Sequence, residues 1–419
     1  MDRWAENRKR EDGLSESAAQ GKKEGGDQAG RTAGETAGVS TEAGIRAAVS
    51  HFEVLLREQL LRQQRMEEGE AAVDYSEKAR ITIGLIDGDG IGPVIMREAR
   101  RVLEKLLADE ISSGRVVLRK IEGLTIENRL ALGKAVPDDV LEAIKSCDVL
   151  LKGPTTTPKG GSLESANVTL RRELDLFANV RPVTVPEEGI DWIFFRENTE
   201  GEYALGSRGV ELPGALTMDF KVTTDAGTRR IARAAFEYAR RNGKKNVAIV
   251  TKANIMKKTD GMFSRIAHEV AADYPEIEAE DWYIDIMTAN LVNPRLRSRF
   301  QVFLLPNLYG DIITDEAAQI QGGVGTAGSA NTGSRYAMFE AIHGSAPRKI
   351  EAGEGEYANP SSILKAAEML LRHIAMTEQA DRLHNALEIC LETERGVIVT
   401  GHRDGARCAE FGDYLLEKL

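Results

Sequence analysis

The chain has 419 residues, 42% hydrophobic and 29% charged, enough apolar material for a large core spread over two or three lobes. A formal net charge of −11 excludes a general nucleic-acid binder, so an anionic ligand requires a local basic pocket. Cys147, Cys390 and Cys408 have neither zinc nor disulfide spacing, and no apolar run reaches the length of a membrane span. The N-terminus shows no secretory core and carries too many acids for an organelle transit peptide, so a cytoplasmic protein is expected.

Residues 1–40 are rich in Gly, Ser, Lys and Glu and poor in large apolar groups, which predicts disorder. From 41 to about 69, Ile45, Val49, Phe52, Leu56 and Leu60 recur every three or four residues. That stripe makes 41–78 an amphipathic-helix extension that docks on the protein itself or on a sister subunit rather than on a membrane. Residues 81–107 then read as a strand, a Gly-rich turn and a helix with Pro93 near its first turn. Gly88, Gly90 and Gly92 do not have the dinucleotide spacing, and Asp89 would oppose a pyrophosphate. A true G-x-G-x-x-G at Gly323, Gly325 and Gly328 follows a helical segment rather than a strand, so neither cluster supports an ordinary Rossmann fold.

After a strand at 148–153, a polar loop with Thr156, Thr157, Ser165 and Asn167 leads into a helix bearing Arg171, with Arg181 beyond its far end. Arg196 follows in the strand-like WIFFRENTEGEY. Three guanidiniums and two neutral hydrogen-bonding groups suit a substrate with several carboxylates. The competing reading is a set of surface ion pairs with Glu173, Asp175 and Glu197. Lys252 stands at the C-terminal end of the strand NVAIV, where open α/β sheets place ligands, and Asp285 follows a short apolar run. In FQVFLLPNLYGDIITD a buried strand runs into a helix that opens with Asp311 and Asp315. Four residues apart, the two carboxylates share a face and call for a cation, either a hard divalent metal or a helix-start environment.

GDGIGP, KGPTTTP, the S-x-N-V-x-L-R run from Ser165 to Arg171, FANVRP, RENTEGEY, KANIMK, NLYGDI and EAIHGSAP occur in this order and spacing. Together they resemble the isocitrate and isopropylmalate dehydrogenase family over residues 81 to 419. The resemblance implies an α/β fold with large and small domains sharing a central sheet, without an ordinary Rossmann domain. It places the large domain with the coenzyme site at 79–176 and 319–419, the small domain with substrate and metal residues at 177–200 and 223–318, and a dimer clasp at 201–222. It also implies oxidative decarboxylation of a hydroxy acid by a pyridine nucleotide with Mg2+ or Mn2+, in a homodimer or higher oligomer whose sites draw on both subunits.

Carried over by motif, Arg171, Arg181 and Arg196 hold substrate carboxylates, and Asp311 and Asp315 with a neighbouring subunit's Asp285 hold the metal. Tyr203 and Lys252 move protons. Asn254 and Glu340 lie near the nicotinamide; Thr157 also belongs to the coenzyme site, and His343, Gly344, Arg348, Lys349 and Asn359 line the adenosine side. Isopropylmalate enzymes resemble G-L-L-x-x-R before the first arginine, whereas Ser165 and Asn167 here suit a carboxylate arm and favour isocitrate over homoisocitrate, tartrate- or malate-type acids and isopropylmalate. Arg348 and Lys349 argue for NADP. The acidic loop with Glu351, Glu354 and Glu356, and the lack of the downstream Tyr and Arg common in NADP sites, tip the reading slightly to NAD. The family also contains regulatory subunits that bind without turnover, and the retained set Tyr203, Lys252, Asp285, Asp311 and Asp315 favours an active enzyme.

Overall fold

Strand β1 (Ile81–Ile86) is buried at every position, as a continuous apolar run must be when both faces of a parallel sheet are covered. In the computed structural model, which describes residues 41–67, 73–158, 163–206, 208–212, 214–323 and 327–419, it is followed by β2 (Val116–Lys120) and β3 (Val149–Lys152). The later strands are β4 (Ala178–Val185), β5 (Ile190–Glu197), β6 (Val210–Leu212), β7 (Leu216–Met218) and β8 (Asn246–Thr251). Last come β9 (Glu278–Tyr283), β10 (Val302–Leu305), β11 (Gly328–Thr332) and β12 (Ala337–Ala341). Ten of them form one sheet in the order β2-β1-β3-β12-β11-β4-β5-β10-β8-β9, and β6 and β7 pair with each other. The β2-β1-β3-β12 and β5-β10-β8-β9 wings are parallel. The bridge between them, β12-β11-β4-β5, is antiparallel.

Side-chain alternation along these strands sorts the core into separate faces. Ile83, Leu85, Leu151 and Phe339 pack into one apolar cluster, while their neighbours Ile86, Leu150 and Met338 point to another. In the second wing Phe195, Ile249 and Leu304 share a cluster, and Phe194, Val250 and Phe303 lie opposite. Polar residues gather instead from the end of β3 into the antiparallel bridge. Lys152 of β3 is the register partner of Glu340 of β12, and Asn179 of β4 is the partner of both Asn331 of β11 and Arg196 of β5. A polar row therefore crosses the middle of the sheet.

The first glycine-rich turn is a structural clamp. Gly90 has φ +59°, and a Cβ there would stand 2.0 Å from the Ser345 carbonyl oxygen. Asp89, expected to repel a phosphate, is buried, and its carboxylate accepts from the amides of Ile126 and Thr156, both at 2.7 Å. The second glycine motif also does structural work at its end, since Gly328 lies in β11 against the backbone of Ala366. Arg129, fully buried, donates to the carbonyls of Ala135, Thr156 and Glu164, which fixes the loop before Arg171.

The chain divides into two compact units, Met1–Ala47 and Ala48–Leu419. The disorder expected for 1–40 lies outside the described residues, and in the first unit these belong to the start of a helix, Thr41–Glu67. Within the second unit that helix docks through a different face from the apolar stripe. Val49, Phe52, Leu56 and Leu60 are exposed, whereas Leu55 is buried. Polar contacts decide the orientation: the Nε2–H of His51 donates to the Arg208 carbonyl at 3.0 Å, and Arg208 pairs with Glu58 at 2.6 Å. Several other boundaries shift by a turn or less. The helix after β10 spans Asn307–Ile320, so Asp311 is its fifth residue rather than its opening, and Asp285 lies in the helix Ile284–Leu291.

His373 packs against the rings of Tyr75 and Phe339, at 5.3 and 5.4 Å, and burial lowers its pKa from 6.5 to about 4. A histidine held neutral by the fold contributes stability that is complete above pH 6.5 and is lost as pH falls toward 4. Chemical denaturation across that window should show the wild type losing up to about 1.4 kcal/mol per pH unit more than His373→Phe. Equal slopes would contradict a neutral buried imidazole.

Candidate functional site

The site is built where the antiparallel bridge meets the second parallel wing. Arg181 projects from β4 and Arg196 from β5, and both face the helix Asn307–Ile320 that follows β10. Arg196, 1% exposed, donates through Nε and Nη2 to the Asn307 Oδ1 at 3.0 and 2.7 Å, and its Nη1 pairs with Asp311. Its side chain crosses Gly310, where a Cβ would sit 2.5 Å from Arg196 Cγ, so only glycine lets the arginine lie so close to the helix. Arg181 Nη1 donates to Thr314 Oγ1 at 2.7 Å and to Asp315 at 3.0 Å. Within the chain, Asp311 and Asp315 are thus each faced by an arginine.

Arg171, from the helix Ala166–Glu173, reaches Glu340 with Nη2 at 3.4 Å. Glu340 is also paired with Lys152 at 2.9 Å and accepts from the Asn331 amide at 2.8 Å. Burial pushes the Glu340 carboxyl up, but Lys152 and Arg171 outweigh it and hold the pKa at about 2. The surface pairs that competed with this arrangement do not form around these arginines. Glu173 pairs with Lys145, Asp175 with Arg230, and Glu197 accepts from the backbone amides of Thr199 and Glu200.

Burial and then the neighbouring Arg171 lower the pKa of Arg196 to about 10, and burial also lowers Arg181. Arg171 Nε and Arg181 Nε are buried donors with no partner among the described residues. Crowded guanidiniums with unused buried N–H groups make a strong anion site. Tyr203 donates to Asp311 Oδ2 at 2.7 Å, and burial followed by that bond raises the phenol to about 12. Asp311 is pushed up by burial, yet Arg196 and the Tyr203 hydrogen bond leave it below the usual carboxylate range.

Lys252 and Asp285 form a second, separate pair. Lys252 Nζ donates to Asp285 at 2.5 Å, a bond that lowers the pKa of this exposed acid. Among the described residues no hydrogen bond or ion pair joins this pair to Asp311 or Asp315, and no three His, Cys, Asp or Glu side chains converge as a metal site. The donor set fits a hard cation in chemistry, since Asp311 and Asp315 supply carboxylate oxygens one helical turn apart. It is incomplete within one chain.

The remaining expected residues lie around the loops beside the first wing. Asn167 accepts from Thr155 Oγ1 at 3.0 Å, Ser165 precedes the Arg171 helix without capping it, and Thr157, Asn254, Gly344 and Arg348 are exposed. His343 Nδ1 contacts the Gly344 carbonyl at 3.1 Å, and burial lowers its pKa. Asn359 accepts from the Ser361 amide and hydroxyl at 2.9 and 2.6 Å, while Lys349 donates to the Gly401 carbonyl. Two acids of the neighbouring loop are paired, Glu354 with His402 and Glu356 with Arg97. Sequence reasoning missed Lys152, Asn307 and Asn331. A lysine ending the otherwise apolar strand VLLK was the one available signal.

A family model described as isocitrate/isopropylmalate dehydrogenase matches residues 82–415. The chain belongs to the isocitrate/isopropylmalate dehydrogenase family. Among relatives of this chain, the isocitrate dehydrogenase (NADP) of Rickettsia prowazekii (strain Madrid E) is 41% identical over 315 residues, covering 73% of this chain and 62% of its own length. The chain therefore spans 62% of the length of that relative. A probable mitochondrial isocitrate dehydrogenase (NAD) subunit alpha of Drosophila melanogaster is 36% identical over 361 residues, covering 83% of this chain and 90% of its own. The crystal structure of isocitrate dehydrogenase from Methylococcus capsulatus superimposes with a TM-score of 0.71 at 35% identity, covering 81% of this chain and 99% of that one. In this dehydrogenase fold Lys152 is fully buried against Glu340. Lys152→Met should cost about 3–5 kcal/mol in urea unfolding because it strands a buried carboxylate, and Lys152→Met/Glu340→Leu should recover most of it.

Proposed function

We propose that the chain is a metal-dependent dehydrogenase that oxidises isocitrate to 2-oxoglutarate and CO2 with reduction of a nicotinamide coenzyme. The observation that carries the reading is the group of three guanidiniums, with the unpartnered Nε donors of Arg171 and Arg181, beside Asp311, Asp315 and Tyr203. Arg171, Arg181 and Arg196 bind the substrate carboxylates, and Ser165 and Asn167 receive the third carboxylate arm. When bound, Mg2+ or Mn2+ on Asp311 and Asp315 would polarise the substrate hydroxyl and the later carbonyl, and the nicotinamide would accept the hydride. Lys252, or a water beside it, takes the hydroxyl proton, and after loss of CO2 Tyr203 returns a proton to carbon. The separation of the Lys252–Asp285 pair from Asp311 supports a homodimer or higher oligomer in which a second copy brings that pair to the site.

The same reading divides the chain into a large domain at 79–176 and 319–419 and a small one at 177–200 and 223–318, with 201–222 as a clasp. The separate apolar clusters of the two wings support it. Thr157, Asn254, Glu340, His343, Gly344, Arg348, Lys349 and Asn359 form the coenzyme side. NAD is slightly favoured over NADP, because the Lys349 ammonium is already bonded to the Gly401 carbonyl and leaves Arg348 alone to meet a 2′-phosphate. A cytoplasmic location agrees with three free, buried thiols, and no helix among the described residues is long and apolar enough to cross a membrane.

Initial rates with Mn2+, crossing isocitrate, homoisocitrate, tartrate and isopropylmalate with NAD and NADP, test the assignment. Turnover chiefly with isocitrate and NAD is expected, and Tyr203→Phe should lower kcat by about 10²–10⁴-fold. Folded, metal-supplied protein without turnover on any pair would point to a binding-only subunit.

A further inference from the structure

The helix Thr41–Glu67 lies before the first residue of the family match at 82, yet from Ala48 onward it reaches the turn that carries Tyr203. That turn holds two adjacent buried carboxylates, Glu197 and Glu200, each 2% exposed. Glu197 is satisfied by the Thr199 and Glu200 amides at 2.9 and 2.6 Å and by the Thr199 hydroxyl at 2.8 Å. Glu200 accepts from the Thr224 amide and hydroxyl at 2.9 and 2.5 Å, and its one cationic partner among the described residues is Arg62 of the extension helix, at 3.1 Å. Arg62 also donates to the Thr199 hydroxyl at 3.3 Å. The charge of Glu200 is therefore balanced from outside the family-matched region.

From Glu200 the connection runs straight into the site. Its carbonyl accepts from Asn307 Nδ2 at 3.0 Å, and the other end of the same amide holds Arg196 by two hydrogen bonds. Three residues after Glu200, Tyr203 meets Asp311, and the Arg196 guanidinium lies 5.5 Å from the centre of the Tyr203 ring. Arg62 and Tyr203 also line one cavity of about 1960 Å³. We propose that Arg62 of the extension helix is a positioning residue of the active site, neutralising Glu200 so that the 197–203 turn holds Tyr203 and, through Asn307, Arg196 in place. The helix then serves the reaction itself as well as any assembly. This inference rests on the proposed isocitrate oxidation for its kinetic readout but not for its structural one.

The test uses the full chain as wild type, Arg62→Met, Arg62→Lys and Arg62→Met/Glu200→Gln. Hydrogen–deuterium exchange is read over residues 198–205, and steady-state kinetics are read with isocitrate, coenzyme and Mn2+. In Arg62→Met the stranded carboxylate should speed exchange in that segment about ten-fold and lower kcat/KM for isocitrate about ten-fold with a raised KM, leaving the coenzyme KM within about two-fold. A variant that is merely less folded would lose rate at unchanged KM. Arg62→Lys, which keeps the charge, and Arg62→Met/Glu200→Gln, which removes the uncompensated one, should each return to within about three-fold of wild type. Unchanged exchange in Arg62→Met overturns the proposal, as does an unchanged KM for isocitrate. A wild type without isocitrate turnover would overturn only the functional reading, since the exchange experiment needs no reaction.

Discussion

Gathering three guanidiniums, two buried and one half-buried, around one small volume is the constraint that shapes the site. Each brings a charge that the interior cannot solvate, so the surrounding chain must supply oxygen partners before any ligand arrives. Asp311 and Asn307 answer Arg196, Asp315 and Thr314 answer Arg181, and Glu340 answers Arg171. The compensation stops short of complete, because the Nε groups of Arg171 and Arg181 keep a buried donor each without a partner. That residue of unsatisfied positive character is what a polycarboxylate would find.

The sheet explains why these groups meet. The inner parallel strands β1, β3, β8 and β10 are almost wholly buried, whereas a polar row runs from Lys152 at the end of β3 and Glu340 of β12 into Asn331, Asn179 and Arg196 of the antiparallel bridge. Hydrogen bonds of 2.8 to 2.9 Å among Asn179, Ser329, Asn331 and Glu340 close that row into a network. The loops above it are fastened by charges too. Asp89 takes the amides of Ile126 and Thr156, and Arg129 takes three carbonyls, so the glycine-rich turn and the segment before Arg171 are held by buried ions.

The extension helix follows the same logic. An apolar stripe would ordinarily bury itself, but here ion pairs with Glu200 and Arg208 orient the helix and leave Val49, Leu56 and Leu60 outward, with Phe52 covered on one side by Phe220. A buried carboxylate without a cation is costlier than a few exposed aliphatic groups, which is why the polar face wins.

Local pattern carried much of the architecture: the apolar runs of β1, β8 and β10, the arginines Arg171, Arg181 and Arg196, and the four-residue spacing of Asp311 and Asp315 were all legible in the chain. Their family motifs were legible as well, because eight short segments kept their order and spacing. Strands β11 and β12 were not recovered, since GSANT and AMFEA have no strong alternation and become strands only between β3 and β4. Which charges the protein contains, and which of them sit near glycine turns and strand ends, can be read directly along the chain. Which charge answers which depends on the fold, which sets Arg196 against Asp311, Arg181 against Asp315, Lys152 beneath Glu340 and Arg62 beside Glu200. Pairing energies depend on burial and on distances between residues far apart in the chain, 188 positions for Lys152 and Glu340, and no local window of sequence contains them.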